Sequence, residues 1–295
     1  MTAEGVYTTA SSFRQALEAR LFRLAEAEGV DLMRLRRQVA FDRLLARVLS
    51  ADGDSWALKG GYALELRSRT ARTTRDIDLT LRNPAELPAA ADLSTRLRTE
   101  LQARVSHDCG DFFEFLVGSA TLDIDAAPYG GARFPVDARL AGRSFVKFHV
   151  DLGVGDEILQ PVDRVEGRDW LGFAGITAPV IPCISKEQQF AEKLHAYTAP
   201  SRERPNSRVK DLVDMALLIL RFDLDVGRLR QAVVATFSRR GSHDVPQTLA
   251  APPPDWTRPF ATMAEETGLN TDMAQAFATL ARFHVQWRVD PVTSR

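Results

Sequence analysis

Asp76 and Asp78 stand two residues apart in the segment TTRDIDLTLR, where Ile77, Leu79 and Leu81 alternate with polar positions. That alternation predicts a strand. In a strand, residues i and i+2 project from the same side, about 6–7 Å apart, so both carboxylates leave one surface together. Like charges so placed need a counter-charge. A pair of Mg²⁺ ions is the usual one where phosphoryl groups are transferred. Upstream lies Lys59-Gly60-Gly61. Two glycines let the backbone approach a phosphate closely, and a helix beginning there turns its N–H groups and positive dipole end toward that phosphate. The composite is a phosphate cradle beside a metal seat. A D-x-D on a strand edge or a Gly-Gly turn alone is commonplace; the order strand, Gly-Gly, helix, Arg-rich turn, D-x-D strand is not.

The elements that must position these groups follow from periodicity. Residues 11–50 read as two helices, with Phe13, Leu17, Leu21 and Leu24 on one stripe and Leu32, Leu35, Val39, Leu45 and Leu49 on the next. WALKGG is a strand running into the glycines, YALELRSR a short helix, and a further helix starts near residue 96. Three more strands are expected around Phe113–Val117, Leu122–Ile124 and Phe145–Val150. Beyond residue 165, VIPCIS is the one convincing strand, and KEQQFAEKLHAYTA, VKDLVDMALLIL and 272–287 are helical. The expected fold is α/β: a mixed sheet with flanking helices over 1–165, and a mostly helical region over 166–295 completing the cleft.

Composition narrows the function classes. With 45% hydrophobic and 26% charged residues the 295-residue chain is of ordinary globular type. A net charge of -1 excludes a uniformly basic nucleic-acid coat, so any such contact needs a local patch. Two cysteines in no ligand spacing argue against a disulfide scaffold or a zinc site. No apolar run is long enough for a membrane helix and no signal peptide is apparent, so a cytoplasmic location is expected. Only five of the 38 basic residues are lysine.

The stretch KGGYALELRSRTARTTRDIDL resembles the first motif of the nucleotidyltransferase superfamily, and specifically of the AbiEii/AbiGii abortive-infection toxins, which include the MenT tRNA-modifying toxins. AEKLHA at 191–196 and RVKDLVDM at 208–215 resemble that family's later motifs. The gap between Gly61 and Asp76 is slightly longer than usual, and the second glycine is often serine elsewhere. The resemblance implies a nucleotidyltransferase-type sheet and transfer of a nucleoside monophosphate from an NTP to a hydroxyl, releasing pyrophosphate. Asp76, Asp78, Lys193 and Asp211 would be catalytic. A third metal ligand is expected from a later strand: Asp151 fits, flanked by Phe148 and Val150, with Asp123 and Asp125 as competitors. Lys59, Gly60, Gly61, Lys193 and Asp214 would bind the NTP. It further implies two Mg²⁺ ions, a pyrimidine NTP such as CTP, a tRNA 3′ end as acceptor, translation block and growth arrest, and a cognate antitoxin from an adjacent gene. A monomer is the expected state. The alternatives are a nucleotidyltransferase acting on a protein or small molecule, and a non-catalytic nucleotide-binding regulator; the latter is disfavoured by two intact carboxylates.

Several residues carry two readings. Lys193, in an otherwise apolar helix of a lysine-poor chain, suits a positioned phosphate contact better than solvation. Asp211 and Asp214, three apart on one helix, share a face, and either could turn to the cleft. Arg67, Arg69, Arg72 and Arg75 form either a solvated turn or a tRNA or polyphosphate contact. His195, two past Lys193, faces elsewhere and is read as structural. Thr74, expected to present an exposed hydroxyl between Arg72 and Arg75, is a candidate regulatory phosphosite, as at the matching place in some relatives.

Overall fold

The computed structural model describes residues 6–49, 55–68, 71–83, 85, 87, 92–124, 127–200 and 208–288. Two helices open the chain, α1 (Ala10–Glu28) and α2 (Leu32–Val48). Thr9 and Asp31 cap them by accepting from the backbone N–H groups of Ser12 and Arg34, and Gly29 ends α1 in the left-handed conformation. There follow β1 (Trp56–Lys59), α3 (Gly60–Arg67), β2 (Asp76–Leu81), α4 (Leu93–Val105), β3 (Phe113–Val117) and the two-residue β4 (Leu122–Asp123). Next come β5 (Gly131–Leu140), β6 (Arg143–Val154), β7 (Asp163–Glu166) and β8 (Val180–Cys183).

Among the described residues these strands form one eight-stranded mixed sheet, ordered β3-β5-β6-β2-β1-β8-β7, with β4 paired to β5. β2 runs antiparallel to β1 and parallel to β6, and β5 antiparallel to β6. The register sorts the side chains. Ile77 pairs with Val150, Leu79 with Leu152 and Phe134 with Val150, so one face is apolar. Those residues are fully buried, in one cluster with Phe13, Leu17, Val39 and Leu44 of α1 and α2. Fully burying such a side chain stabilises by about 1.5–3 kcal/mol. With that face committed, Arg133, Pro135 and Asp137 of β5 and Lys147, His149 and Asp151 of β6, paired in register, are left on the other.

Two compact units result. The first comprises residues 1–66, 73–155 and 164–183, and the second 67–72, 156–163 and 184–295. The division therefore does not follow a single cut at 165. Residues 164–183 stay with the sheet because β8 pairs with β1, Leu58 opposite Cys183. The second unit holds α5 (Lys186–Thr198), α6 (Val209–Arg221), α7 (Val226–Arg240), α8 (Thr257–Thr267) and α9 (Met273–Arg288). Phe190, Leu194, Leu212, Met215, Leu229, Val233 and Leu280 form its apolar interior. Phe190 and Phe283 meet edge to face at 5.5 Å.

Two strands lie outside the expectations. β5 carries Pro135, which removes a ladder donor and argues against an interior strand, yet Ala132, Phe134, Val136, Ala138 and Leu140 alternate faultlessly and are all buried. β7 is four residues with half-exposed alternation, DRVE, and little apolar signal.

Candidate active site

In the first unit the site begins where β1 stops. Lys59 pairs with Asp78 across the β1–β2 ladder, and Gly60 follows with φ +69°. A Cβ at Gly60 would stand 1.9 Å from Asp78 Oδ2, so the backbone lies against that carboxylate as only glycine permits. The helix α3 starts at Gly60 itself, and its first-turn N–H groups are those of Gly60, Gly61 and Tyr62. The β1–α3 turn and the D-x-D strand are thus brought together as the spacing predicts.

The polar face extends across β6 and β5. Asp78 pairs with Asp151 and Asp76 with His149; Arg133 of β5 pairs with Asp151. Directly paired residues share a face, so Lys59, Asp76, Asp78, His149, Asp151 and Arg133 form one array. Arg133 grips Asp151 bidentately, Nε to Oδ1 and Nη2 to Oδ2, each at 2.7 Å. Its Nη2 also lies 3.5 Å from Asp76 Oδ2, and His149 Nδ1 lies 3.5 Å from Asp76 Oδ1. The hydrogen bonds to Asp151 hold the Arg133 guanidinium above its ordinary range. Sequence reading missed Arg133 and His149. His149 was accessible by the i, i+2 rule from Asp151, whereas Arg133 depended on recognising β5.

Carboxylate oxygens are the hard ligands Mg²⁺ prefers, and Mg²⁺ is commonly held by one or two carboxylates together with substrate phosphates. Asp76 and Asp78 fit that pattern. Asp151 lies beside Asp78 but with both oxygens engaged by Arg133, so its expected role as third ligand requires the guanidinium to yield. Among the described residues no group of three or more His, Cys, Asp or Glu is arranged to hold a metal alone. Of the competitors, Asp123 lies exposed on β4, and Asp125 falls outside the described residues.

In the second unit α5 and α6 bring Lys193, Asp211 and Asp214 together. Lys193 Nζ donates to Asp214 Oδ2 at 2.6 Å and lies 3.6 Å from Asp211 Oδ1. Arg72 grips Asp214 as well, Nε to Oδ1 at 3.1 Å and Nη2 to Oδ2 at 3.0 Å. Burial opposes the Lys193 ammonium, but Asp214 and Asp211 outweigh it and raise its pKa. Burial likewise opposes the Asp214 carboxylate, but Lys193 and Arg72 prevail and lower its pKa. Asp214, fully buried, is thereby committed to two cations. Asp211 differs: its Oδ2 is buried with no hydrogen-bond partner among the described residues, 3.8 Å from Arg208.

The arginine turn departs from expectation. Arg67 is directed inward, donating to Gln189 Oε1 at 2.7 Å, to Asp163 Oδ2 at 2.9 Å and to the Ile184 carbonyl, with 5% of its side chain exposed. It presents no surface to an external phosphate, because it satisfies acceptors around the start of α5. Arg72 serves Asp214, Arg69 falls outside the described residues, and Arg75 is exposed. Thr74 is buried, not exposed. Its N–H donates to Glu65 Oε2 at 3.3 Å and its hydroxyl to the Asp76 carbonyl at 3.4 Å, while Arg34 and Gln38 fix Glu65 Oε1. A phosphate there would have to break this anchor. His195 Nε2 meets Ser242 Oγ at 2.9 Å, and burial pushes its pKa down to about 4.

Residues 43–289 match the model of a family described as nucleotidyl transferase AbiEii toxin of a type IV toxin–antitoxin system. The fold is similar to MenT4, a nucleotidyltransferase toxin from Mycobacterium tuberculosis H37Rv, at TM-score 0.59 and 20% identity over 92% of each chain. It also overlaps a putative nucleotidyltransferase from H. pylori at TM-score 0.44 and 12% identity, covering 85% of this chain and 93% of that one. No curated protein matches the chain in sequence.

Proposed function

Because the chain belongs to the AbiEii family of nucleotidyltransferase toxins, we propose that it moves a nucleoside monophosphate from an NTP, CTP in preference, to the 3′ end of tRNA, with Mg²⁺ as cofactor. One observation carries this reading: the two same-face carboxylates Asp76 and Asp78, with the Gly60 backbone pressed against Asp78. A nucleotidyltransferase needs acidic oxygens beside a backbone cradle, since its task is positioning and charge neutralisation.

In the reaction the acceptor hydroxyl oxygen attacks the α-phosphorus. A new P–O bond forms as the bond to the oxygen bridging the α- and β-phosphorus breaks, pyrophosphate leaves, and the hydroxyl proton passes to solvent. Asp76 and Asp78 would hold Mg²⁺, which when bound neutralises the triphosphate and acidifies the hydroxyl. Gly60 and Gly61 offer the backbone that cradles phosphate. Lys193, an ammonium kept charged by its acidic neighbours, and Asp211, with an unoccupied oxygen, are the second unit's contributors to nucleotide use. Asp214 is a positioning residue that holds Lys193. The type IV family implies a cognate antitoxin as partner.

Incubating the protein with each labelled NTP, Mg²⁺ and total cellular RNA tests the reading. Label from one NTP should enter a tRNA-sized band, and Asp76→Ala and Asp78→Ala should reduce it to below a few per cent while melting like the parent. Substantial incorporation by either variant would reject the carboxylate assignment. Label in a protein band would move the acceptor from RNA to protein.

A further inference from the structure

The polar face of the sheet runs on past Asp76 into a groove of about 730 Å³ within the first unit. Arg37 of α2, Arg75 ahead of β2, Arg133 of β5, and Lys147 and His149 of β6 line it, over a floor that includes Leu116 and Pro135. Its acidic members are Asp76 and Asp137. Asp137 already has partners, accepting from Ser144 Oγ at 2.6 Å and lying 3.6 Å from Arg139. Arg75 and Lys147 are exposed, and among the described residues neither has an ion-pair partner. Arg133 is held by Asp151 and Arg37 lies 3.9 Å from the exposed Asp31, so on a chain of net charge -1 the groove is a local concentration of cations at the edge of the carboxylate site, with Arg75 and Lys147 its uncompensated members.

The cations trace a line. Arg133 stands at the level of Asp151 and His149 at that of Asp76, while Lys147 lies two residues further along the same face of β6. Lys147 is therefore about 13 Å along the strand from Asp151. Charges strung out in this way suit an extended polyanion rather than one phosphate group. Leu116, 49% exposed, offers apolar surface on which a base or ribose can lie. Phosphodiester backbones are recognised by such cations irrespective of sequence.

We propose that this groove holds the acceptor strand, with Arg133, Lys147, Arg37 and Arg75 pairing with phosphodiester groups of a single-stranded RNA 3′ end whose terminal hydroxyl lies at Asp76. Resting on the transfer reaction proposed above, the groove gives the acceptor a surface separate from the nucleotide's. It also replaces Arg67 and Arg72, which serve internal carboxylates, as the source of RNA affinity.

The test is fluorescence anisotropy with a short 5′-labelled single-stranded RNA, chelator present and nucleotide absent, over a range of salt. The triple variant Arg37→Ala, Arg75→Ala, Lys147→Ala should bind at least about tenfold more weakly at 0.1 M salt. Its slope of log K against log salt should flatten by about 2, near 0.7 for each lost contact. Labelled CTP, followed by equilibrium dialysis with Mg²⁺, should bind as in the parent. The charge-keeping set Arg37→Lys, Arg75→Lys, Lys147→Arg should retain RNA affinity, and carries the comparison if the alanine variant melts low. Unchanged RNA affinity and slope overturn the groove. So does parallel loss of CTP binding, which would make it a nucleotide site, or equal competition by polyglutamate, which would make it a protein surface. RNA bound through these residues with no transfer from any NTP would sink the transfer reading and leave the groove standing. Normal transfer with an unmoved KM for RNA in the triple variant would do the reverse.

Discussion

A Cβ on residue 60 would meet Asp78 Oδ2 at 1.9 Å and its Cγ at 2.5 Å, on a backbone whose φ of +69° already disfavours any side chain. Either the turn or the carboxylate has to give way in a Gly60→Ala variant. The strained backbone contributes about 1–3 kcal/mol of destabilisation. A carboxylate displaced by an ångström lowers transfer by on the order of a hundredfold. Thermal melting and single-turnover transfer measured on one preparation check both, and unchanged transfer would show that Asp78 need not sit where the glycine allows. The contrast with the second unit is chemical. There Asp214 is fully buried and gripped by Lys193 and Arg72, an arrangement that fixes an ammonium in place, whereas Asp211 keeps an oxygen without a hydrogen bond. Two aspartates three residues apart on one helix are equivalent by spacing and are distinguished only by which cations reach them.

Helix α2 anchors the site's support through Asp42, which is fully buried and accepts from Tyr62 Oη at 2.6 Å and Trp170 Nε1 at 2.9 Å. Tyr62 belongs to the first turn of α3, directly after the glycine pair, so this bond ties α2 to the β1–α3 turn. Burial pushes the Asp42 carboxyl up to about 7, more than the Tyr62 and Trp170 hydrogen bonds pull it down. An unfolded aspartate titrates near about 3.9. Between those values the folded chain keeps a proton the unfolded chain has lost, so this group's contribution to stability falls as pH rises from about 4 to about 7 and then levels off. Urea unfolding at pH 5, 6, 7 and 8 should show that decline in the parent. Asp42→Asn should remove it, and equal slopes in the two proteins would refute the assignment. Strand β5 makes a related point about elements. Its alternation is written in Ala132, Phe134, Val136, Ala138 and Leu140 across Pro135; the proline stands one residue past the last β3–β5 pair, Val117 with Val136, where a missing N–H breaks no β3–β5 rung, and its carbonyl accepts from the Gly118 N–H at 2.8 Å.

Each unit is assembled from separated segments, and the second recruits residues 67–72 and 156–163 to its helices. Those short segments supply Arg72 to Asp214, Arg67 to Gln189 and the Ile184 carbonyl, and Asp156 to Arg240. A fragment of residues 184–295 would keep Lys193 and Asp214 but lose Arg72 and Arg67. Removing partners from buried charges costs about 3–5 kcal/mol, a large share of the stability of a domain this size. The fragment should therefore lack a cooperative thermal transition by circular dichroism, and a sharp melt near that of the whole chain would show that the recruited segments are dispensable. Among the described residues no helix is long and apolar enough to cross a membrane.

Local periodicity and spacing were enough to determine the helices of the first fifty residues, the β1–glycine–α3 turn, the same-face placement of Asp76 and Asp78, and the helices bearing Lys193 and Asp211. The physical reason is that each depends on contacts within a few residues: hydrophobic repeat, capping, glycine conformation and strand alternation. Tertiary structure alone decided that Arg133 sits on Asp151, that His149 stands beside Asp76, that Arg67 points inward, that Thr74 is buried, and that Arg37, Arg75 and Lys147 share a groove. Those outcomes depend on strand order and register, which set residues from distant parts of the chain side by side. No one-dimensional pattern encodes that partner choice, because a guanidinium in sequence is equally suited to water, to a phosphate or to a buried carboxylate.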